Sequence, residues 1–250
     1  MNGMLPSWGL LGMPSISSVT ADVENPSWLV IEAVVPTTVG GWTVREIGLI
    51  GGTSWESTIE YYRILNETAA HRLGGLSSAE CLLYSLDFAP VELLLREGKW
   101  DELGGIMLDA GRAVVRGGAS FLLICSNTLH RYADALEKET GLPVLHIADA
   151  AAQEAGRQGF TRAGLLGTKP LMRSEYYPKR MREGFGIDVI VPGDDDMDIV
   201  NRIIFDELCR GILRDESRTA VLRIMDGLAA QGAQGIVLGC TELPLLIRPE

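Results

Sequence analysis

Two cysteines carry the most chemistry in this chain. Cys125 and Cys240 each close a short apolar run, and each opens a polar stretch: Cys125-Ser-Asn-Thr128 and Cys240-Thr-Glu242. A thiol ionises at ~8.5 when unperturbed, near enough to neutrality to work as thiol or thiolate. Two thiols on opposite sides of one carbon suit racemisation. One removes a proton, the other returns one, and the roles exchange when the substrate's handedness is reversed. The α-proton of an amino acid is far less acidic than a thiol, so the carbanion must be held by donors aimed at the carboxylate. Helix-start N–H groups beside Asn127, Thr128 and Thr241 suit a carboxylate. The turn Gly51-Gly-Thr-Ser54 adds Thr53 and Ser54. A single cysteine at a strand end is usually small apolar filler. Two at matching repeat positions point instead to function, whereas Cys81 and Cys209 have no repeat partner and read as core.

The elements that must hold these residues follow from apolar periodicity. Glu46–Gly52, Ala79–Leu86, Ser120–Cys125 and Pro143–Ile147 read as strands. Trp55–His71, Trp100–Gly117, Leu129–Glu139 and 149–158 read as helices between and after them. Short apolar runs alternating with longer helices predict an α/β fold with parallel sheets covered on both faces. In such sheets ligands bind beyond the carboxyl ends of the strands.

The pattern then restarts. Arg162-Ala-Gly-Leu-Leu-Gly-Thr168 echoes Glu46-Ile-Gly-Leu-Ile-Gly-Gly52, with Gly164 lying 116 residues after Gly48. Gly235-Ile-Val-Leu-Gly-Cys240 echoes Ser120–Cys125, with the cysteines 115 residues apart. Gly186–Pro192 takes the second-strand place, and helices near 197–211 and 216–231 complete the half. Two matches at nearly one offset indicate an internal duplication. The predicted division is an atypical extension at 1–44, a first α/β domain at 45–148 and a second at 149–250. The extension is rich in Gly, Pro, Ser and Thr, and it includes one candidate strand, Ser27–Val35. Only ten residues follow Cys240, whereas the first half continues past Cys125 through a helix, a strand and another helix. A shortened second copy is the favoured explanation; the alternative is that the extension supplies the missing elements.

Composition narrows the partners. A net charge of −11, spread along the chain, disfavours nucleic acid and anionic membrane. The four cysteines and three histidines show no metal-ligand spacing, so no metal is expected. Unpaired thiols suit a cytoplasmic protein. The N-terminus is broken by Pro6, Gly9, Gly12 and Pro14 and makes neither a signal peptide nor a span. The acidic run Asp194–Asp198 lacks EF-hand spacing and reads as a loop opening a helix. His130 and His146 read as packing or hydrogen-bonding residues, and Lys169 as a possible substrate contact.

With these residues in view, the sequence resembles the aspartate/glutamate racemase superfamily, most closely its broad-specificity amino-acid racemase branch. The resemblance rests on Gly51-Gly-Thr-Ser-Trp-Glu-Ser-Thr58, Cys125-Ser-Asn-Thr128, His146-Ile-Ala-Asp149 and Gly239-Cys-Thr-Glu242, and covers about 45–250. It implies two flavodoxin-like domains related by a pseudo-twofold axis with the site between them, a homodimer, an amino-acid substrate, and no cofactor. It makes Cys125 and Cys240 the acid/base pair and gives the α-carboxylate to Thr53, Asn127, Thr128 and Thr241. Ser85, Thr168 and Glu242 are further candidates. Where aspartate-specific members carry an arginine and a lysine, this chain has Glu92 and Cys209. A side-chain carboxylate buried there would lack a cation, which favours neutral or basic amino acids. Two other readings stay open: a cysteine-dependent isomerase of another carbon acid, of the hydantoin or maleate type, and an inactive amino-acid-binding protein.

Overall fold

The computed structural model describes residues 46–247 and a short strand, β1 (Gly9–Leu11). The candidate strand at 27–35 lies outside them. The described residues up to 147 form one compact unit, and residues 148–247 with β1 form another.

In the first unit, β2 (Ile47–Gly51) and β4 (Phe121–Ile124) are buried at every position, as strands covered on both faces must be. β2 lies between β3 (Cys81–Ser85) and β4, all parallel, with Ile47 level with Cys81 and Phe121. Helix α1 (Trp55–Leu73) buries Leu65 against Ile47, Leu49, Phe121 and Leu123 on one sheet face. Helices α2 (Phe88–Glu97), α3 (Trp100–Arg116) and α4 (Ala133–Thr140) cover the other. Leu103, Met107, Ala110 and Val114 of α3 recur at helical spacing and pack with Leu122 and Ile124.

The second unit repeats the plan. It runs through α5 (Ile147–Arg157), β5 (Arg162–Leu166), α6 (Lys169–Met172), α7 (Tyr176–Phe185), β6 (Asp188–Ile190), α8 (Asp194–Arg202), α9 (Asp215–Ala230), β7 (Gly235–Leu238) and α10 (Leu243–Leu246). β5 lies between β6 and β7, again all parallel. The duplicated glycines share one physical cause. A Cβ on Gly48 would lie 2.9 Å from the Ala119 side chain and 3.0 Å from Leu122, and one on Gly164 would lie 2.6 Å from Ile236. In each central strand the neighbouring large side chain fills the space a methyl group would need.

β1 pairs in parallel with β7, Leu10 level with Ile236. It holds on β7 the edge that the segment at Val144 holds on β4, where Leu122 pairs with Val144. Three residues of the predicted extension therefore belong to a sheet.

Several expected elements differ in detail. The strand read at 143–147 shrinks to that single pairing: Leu145 N–H donates to Leu122 O (3.0 Å), but Ile147 N–H goes to His130 Nε2 (3.2 Å) instead of continuing the ladder. The helix read at 129–139 begins as a 3₁₀ turn, Thr128–Tyr132, before α4. The one read near 197–211 starts at Asp194 and loosens into a π turn at Ile203–Glu207 and a 3₁₀ turn at Leu208–Arg210. Helices α2 and α7 add to the elements expected from periodicity. Asp87 Oδ1 caps α2 by accepting Ala89 N–H at 3.1 Å, and Gly98 closes it; Tyr177 and Met181, four apart, anchor α7.

Candidate active site

At the carboxyl ends of the first sheet the chain folds tightly. Gly52 has φ +86°, and a Cβ there would fall 2.2 Å from Leu86 O and 2.4 Å from Leu86 N. Only glycine lets the turn after β2 sit against the end of β3, where Leu86 N–H donates to Gly51 O (2.9 Å). Thr58 locks the turn from α1: its hydroxyl accepts Gly52 N–H (2.8 Å) and donates to Ser54 O (3.2 Å). Ser57 Oγ donates to the same carbonyl (2.9 Å). Ser54 is buried, Ser85 is exposed at the end of β3, and Thr53 Oγ1 is buried with no hydrogen-bond partner. That hydroxyl is free to donate to a ligand oxygen.

Cys125 follows β4 directly, its N–H donating to Ile50 O at 2.9 Å. Its side chain is wholly buried and packs with Phe121, Leu123 and Leu65. Asn127 and Thr128 follow in the same turn, both buried. Thr53, Ser54, Ser85, Cys125, Asn127 and Thr128 thus gather at one end of one sheet, on strands in the order β3, β2, β4.

In the second unit Thr168, Cys240, Thr241 and Glu242 lie at the corresponding ends of β5 and β7. Thr168 is committed to capping α6, its Oγ1 accepting Leu171 N–H (3.4 Å). Lys169 is paired with Asp198. Cys240 Sγ–H donates to Glu242 Oε2 at 2.9 Å, and Thr241 Oγ1 donates to the same oxygen at 3.0 Å. Glu242 is only 4% exposed, so a carboxylate and a thiol share one buried contact.

The two cysteines are not equivalent in register. The last ladder bond of β4 comes from Cys125 N–H to Ile50 O, whereas that of β7 comes from Gly239 N–H to Leu166 O (2.6 Å). Cys240 therefore sits one residue farther from its sheet, and a one-residue slip reverses the face. Cys125 joins the cluster of Phe121 and Leu123, while Cys240 joins that of Ile236 and Leu238.

The electrostatics also depart from the sequence expectation that helix starts would pull both thiols toward neutrality. Burial pushes Cys125 well above the usual thiol value, with a smaller contribution from Cys81. Burial raises Cys240 too, helped by the charge of Glu242, by its hydrogen bond and by Cys209. The elements that follow are a 3₁₀ turn and a four-residue helix, too short for a strong dipole. Desolvation wins.

Glu92 sits on α2, 3.9 Å from Arg96 Nε. Cys209 is half-buried and packs against the cluster that holds Cys240. Asp194, Asp196 and Asp198 face three separate cations: Arg173, Arg223 and Lys169. No cluster of three or more metal-ligating side chains occurs among the described residues, and no helix among them is long and apolar enough to cross a membrane.

Comparison with known proteins places this architecture. The chain is 46% identical to a Yersinia pestis protein classed as an Asp/Glu racemase, over 82% of this chain and 89% of that one, with a TM-score of 0.75. An aspartate racemase homologue from Pyrococcus horikoshii is 35% identical over 82% and 88%, with a TM-score of 0.67. The broad-specificity amino-acid racemase RacX of Bacillus subtilis is 29% identical over 90 residues, 36% of this chain and 39% of its own length. The chain thus spans about two fifths of that curated relative. A short match to the N-terminal region of phage tail-collar fibre proteins covers residues 13–54. The Asp/Glu/hydantoin racemase profile matches residues 50–250, and the chain belongs to that family.

Proposed function

We propose that the protein racemises free amino acids, with Cys125 and Cys240 as the two acid/base groups and no pyridoxal phosphate. The observation that carries the reading is a free, buried cysteine just past the carboxyl end of a fully buried strand in each repeat, followed each time by side chains able to hold a carboxylate. In one direction the Cys125 thiolate takes the α-proton and the Cys240 thiol delivers one to the opposite face; the reverse direction exchanges the roles. The mechanism requires both sulfurs to reach one α-carbon.

Glu242 prepares Cys240. When Glu242 accepts the thiol proton, the pair becomes thiolate and carboxylic acid, with one negative charge before and after. Such a pair shares a proton as a unit, so the burial that opposes a lone thiolate opposes this transfer much less. Thr53, Asn127, Thr128 and Thr241 hold the α-carboxylate and stabilise the carbanion as preorganised donors. Ser54 and Ser85 line the approach, and Thr168 supports it through its cap.

Neutral and basic amino acids are the proposed substrates, with Asp and Glu disfavoured, because Glu92 and Cys209 offer no cation to a second carboxylate. The names of the Yersinia, Pyrococcus and Bacillus relatives support amino-acid racemisation in general. A reducing compartment such as the cytoplasm and a homodimeric state complete the proposal. The test is chiral chromatography of a panel of L-amino acids incubated in heavy water without added pyridoxal phosphate. D-isomers carrying deuterium at Cα are expected. Binding without exchange, with affinity unchanged in Cys125→Ser and Cys240→Ser, would leave a binding protein instead.

A further inference from the structure

We propose that His130 is a positioning residue that fixes the Cys125 turn through one neutral tautomer. The inference deepens the racemase reading and rests on it only for its kinetic arm.

His130 is 2% exposed and both ring nitrogens are engaged. Nδ1 lies 2.6 Å from Ser126 O. A carbonyl oxygen only accepts, so Nδ1 carries the hydrogen. Nε2 lies 3.2 Å from Ile147 N. A backbone N–H only donates, so Nε2 carries a lone pair. The two contacts together specify the uncharged Nδ1–H imidazole and exclude both the other tautomer and the imidazolium.

The position of this ring makes the tautomer consequential. Ser126 is the residue after Cys125, and its carbonyl is turned onto the ring rather than continuing the β4 ladder. Ile147 is the first residue of α5 and the last of the first unit. The ring is therefore a strut between the start of α5 and the peptide that follows Cys125. It orients the turn from which Asn127 and Thr128 present their groups. His146 stacks beside it, ring centres 4.8 Å apart and planes tilted by 55°, which restricts rotation of the imidazole. Ser126 Oγ, 3.4 Å from Leu129 N, and Asn127 O, 3.2 Å from His130 N, tighten the same turn. Both ring nitrogens are taken by backbone groups, so His130 is given no proton exchange with substrate. Its effect passes through the placement of Cys125.

The experiment uses the full chain. In the wild type, long-range ¹⁵N–¹H spectra of the His130 ring should show a protonated Nδ1 and an unprotonated Nε2; an Nε2–H or doubly protonated ring would overturn the proposal. His130→Asn keeps an N–H donor near the Nδ1 position, and His130→Ala removes it. Racemisation by His130→Ala should show kcat reduced about 100-fold, the scale of a 1 Å misplacement, with KM little changed, and His130→Asn should recover most of the loss. Equal losses in both variants, or a loss confined to KM, would refute it. A second readout is iodoacetamide labelling of Cys125 followed by peptide mass spectrometry. Labelling should quicken at least tenfold in His130→Ala and stay near wild type in His130→Asn; identical rates in all three proteins count against the strut. Should the wild type racemise no amino acid, the function reading fails, while the tautomer and labelling arms still decide the role of His130.

Discussion

Replacing Gly52 with alanine tests how closely the turn after β2 approaches β3. At φ +86° an L-residue pays about 1–2 kcal/mol for a left-handed backbone. The new methyl would also meet backbone atoms, Leu86 O at 2.2 Å and Leu86 N at 2.4 Å, which cannot rotate aside as a side chain can. Forced repacking adds about 1–3 kcal/mol, and loss of the Leu86 N–H to Gly51 O bond about 1 kcal/mol. The expected cost is about 3–6 kcal/mol in total. Gly141→Ala is the control: Gly141 has φ +70° and nothing within 4 Å of its virtual Cβ, so only the backbone cost remains, about 1 kcal/mol. Urea slopes for a unit of this size are about 1–2 kcal/mol per molar. At a mid-range slope Gly52→Ala should therefore lower the first unit's midpoint by about 2–4 M, and Gly141→Ala by no more than about 1 M. Pulsed hydrogen exchange with mass spectrometry assigns the transition, read on peptides spanning Ile47–Gly51 and Cys81–Leu86. Equal midpoints for the two variants would refute the close approach, and with it the role given to this glycine.

Other outcomes are accessible. Cys125→Ser and Cys240→Ser should each lower kcat by at least about a thousandfold, because an alcohol does not replace a thiol as proton carrier; chiral chromatography checks this. Folded-state burial raises Cys81, Cys125, Cys240 and Tyr177, so the unfolded chain releases protons first as pH climbs. Stability should hold below about pH 8.5 and fall above it, and the Cys125→Ser/Cys240→Ser double variant should flatten the decline in urea titrations at pH 7 and 10. Glu242→Gln removes the charge beside Cys240, so alkylation of that thiol should begin at lower pH while racemisation slows for want of a proton acceptor. Arg180 grips Asp149 with Nε at 2.5 Å and a terminal nitrogen at 2.8 Å. The pair is partly solvated, and Arg180→Met should cost about 1 kcal/mol, less in high salt, by thermal melting.

The sheets were legible because their signal is local. Gly48 and Gly164 repeat since each faces a large neighbour on the next strand, and the fully apolar β2, β4 and β7 admit only a two-sided environment. What escaped the sequence depended on distant partners. Pro143–Ile147 has strand composition, but His130 claims the Ile147 N–H that would extend the ladder. Helix α2 has its cap, Asp87, and its stop, Gly98, yet it follows a strand so closely that the local pattern does not separate the two. The candidate site was legible as a set of residues at strand ends. The one-residue register difference between Cys125 and Cys240 was not, since an offset counted along the chain does not reveal where a ladder ends. Nor could it show that desolvation outweighs the short helix starts at both thiols. Thr58 was visible in its motif, but its hold on the turn depends on the sheet.

The pairing of β1 with β7 sets an order of events for the molecule as it is made. The first of these strands leaves the ribosome more than two hundred residues before its mate, Gly9 pairing with Gly235. Every other strand in that sheet finds its neighbour between Arg162 and Leu238, so β1 waits for β7 until Leu238 has been made. Meanwhile the nascent segment around Leu10 has no sheet to join, and a newly formed β7 offers a bare rim that another polypeptide could claim. Slow synthesis of the stretch between β1 and β7, or a bulky group attached beside Gly9, should show up as self-association during expression rather than as a defect in the finished fold.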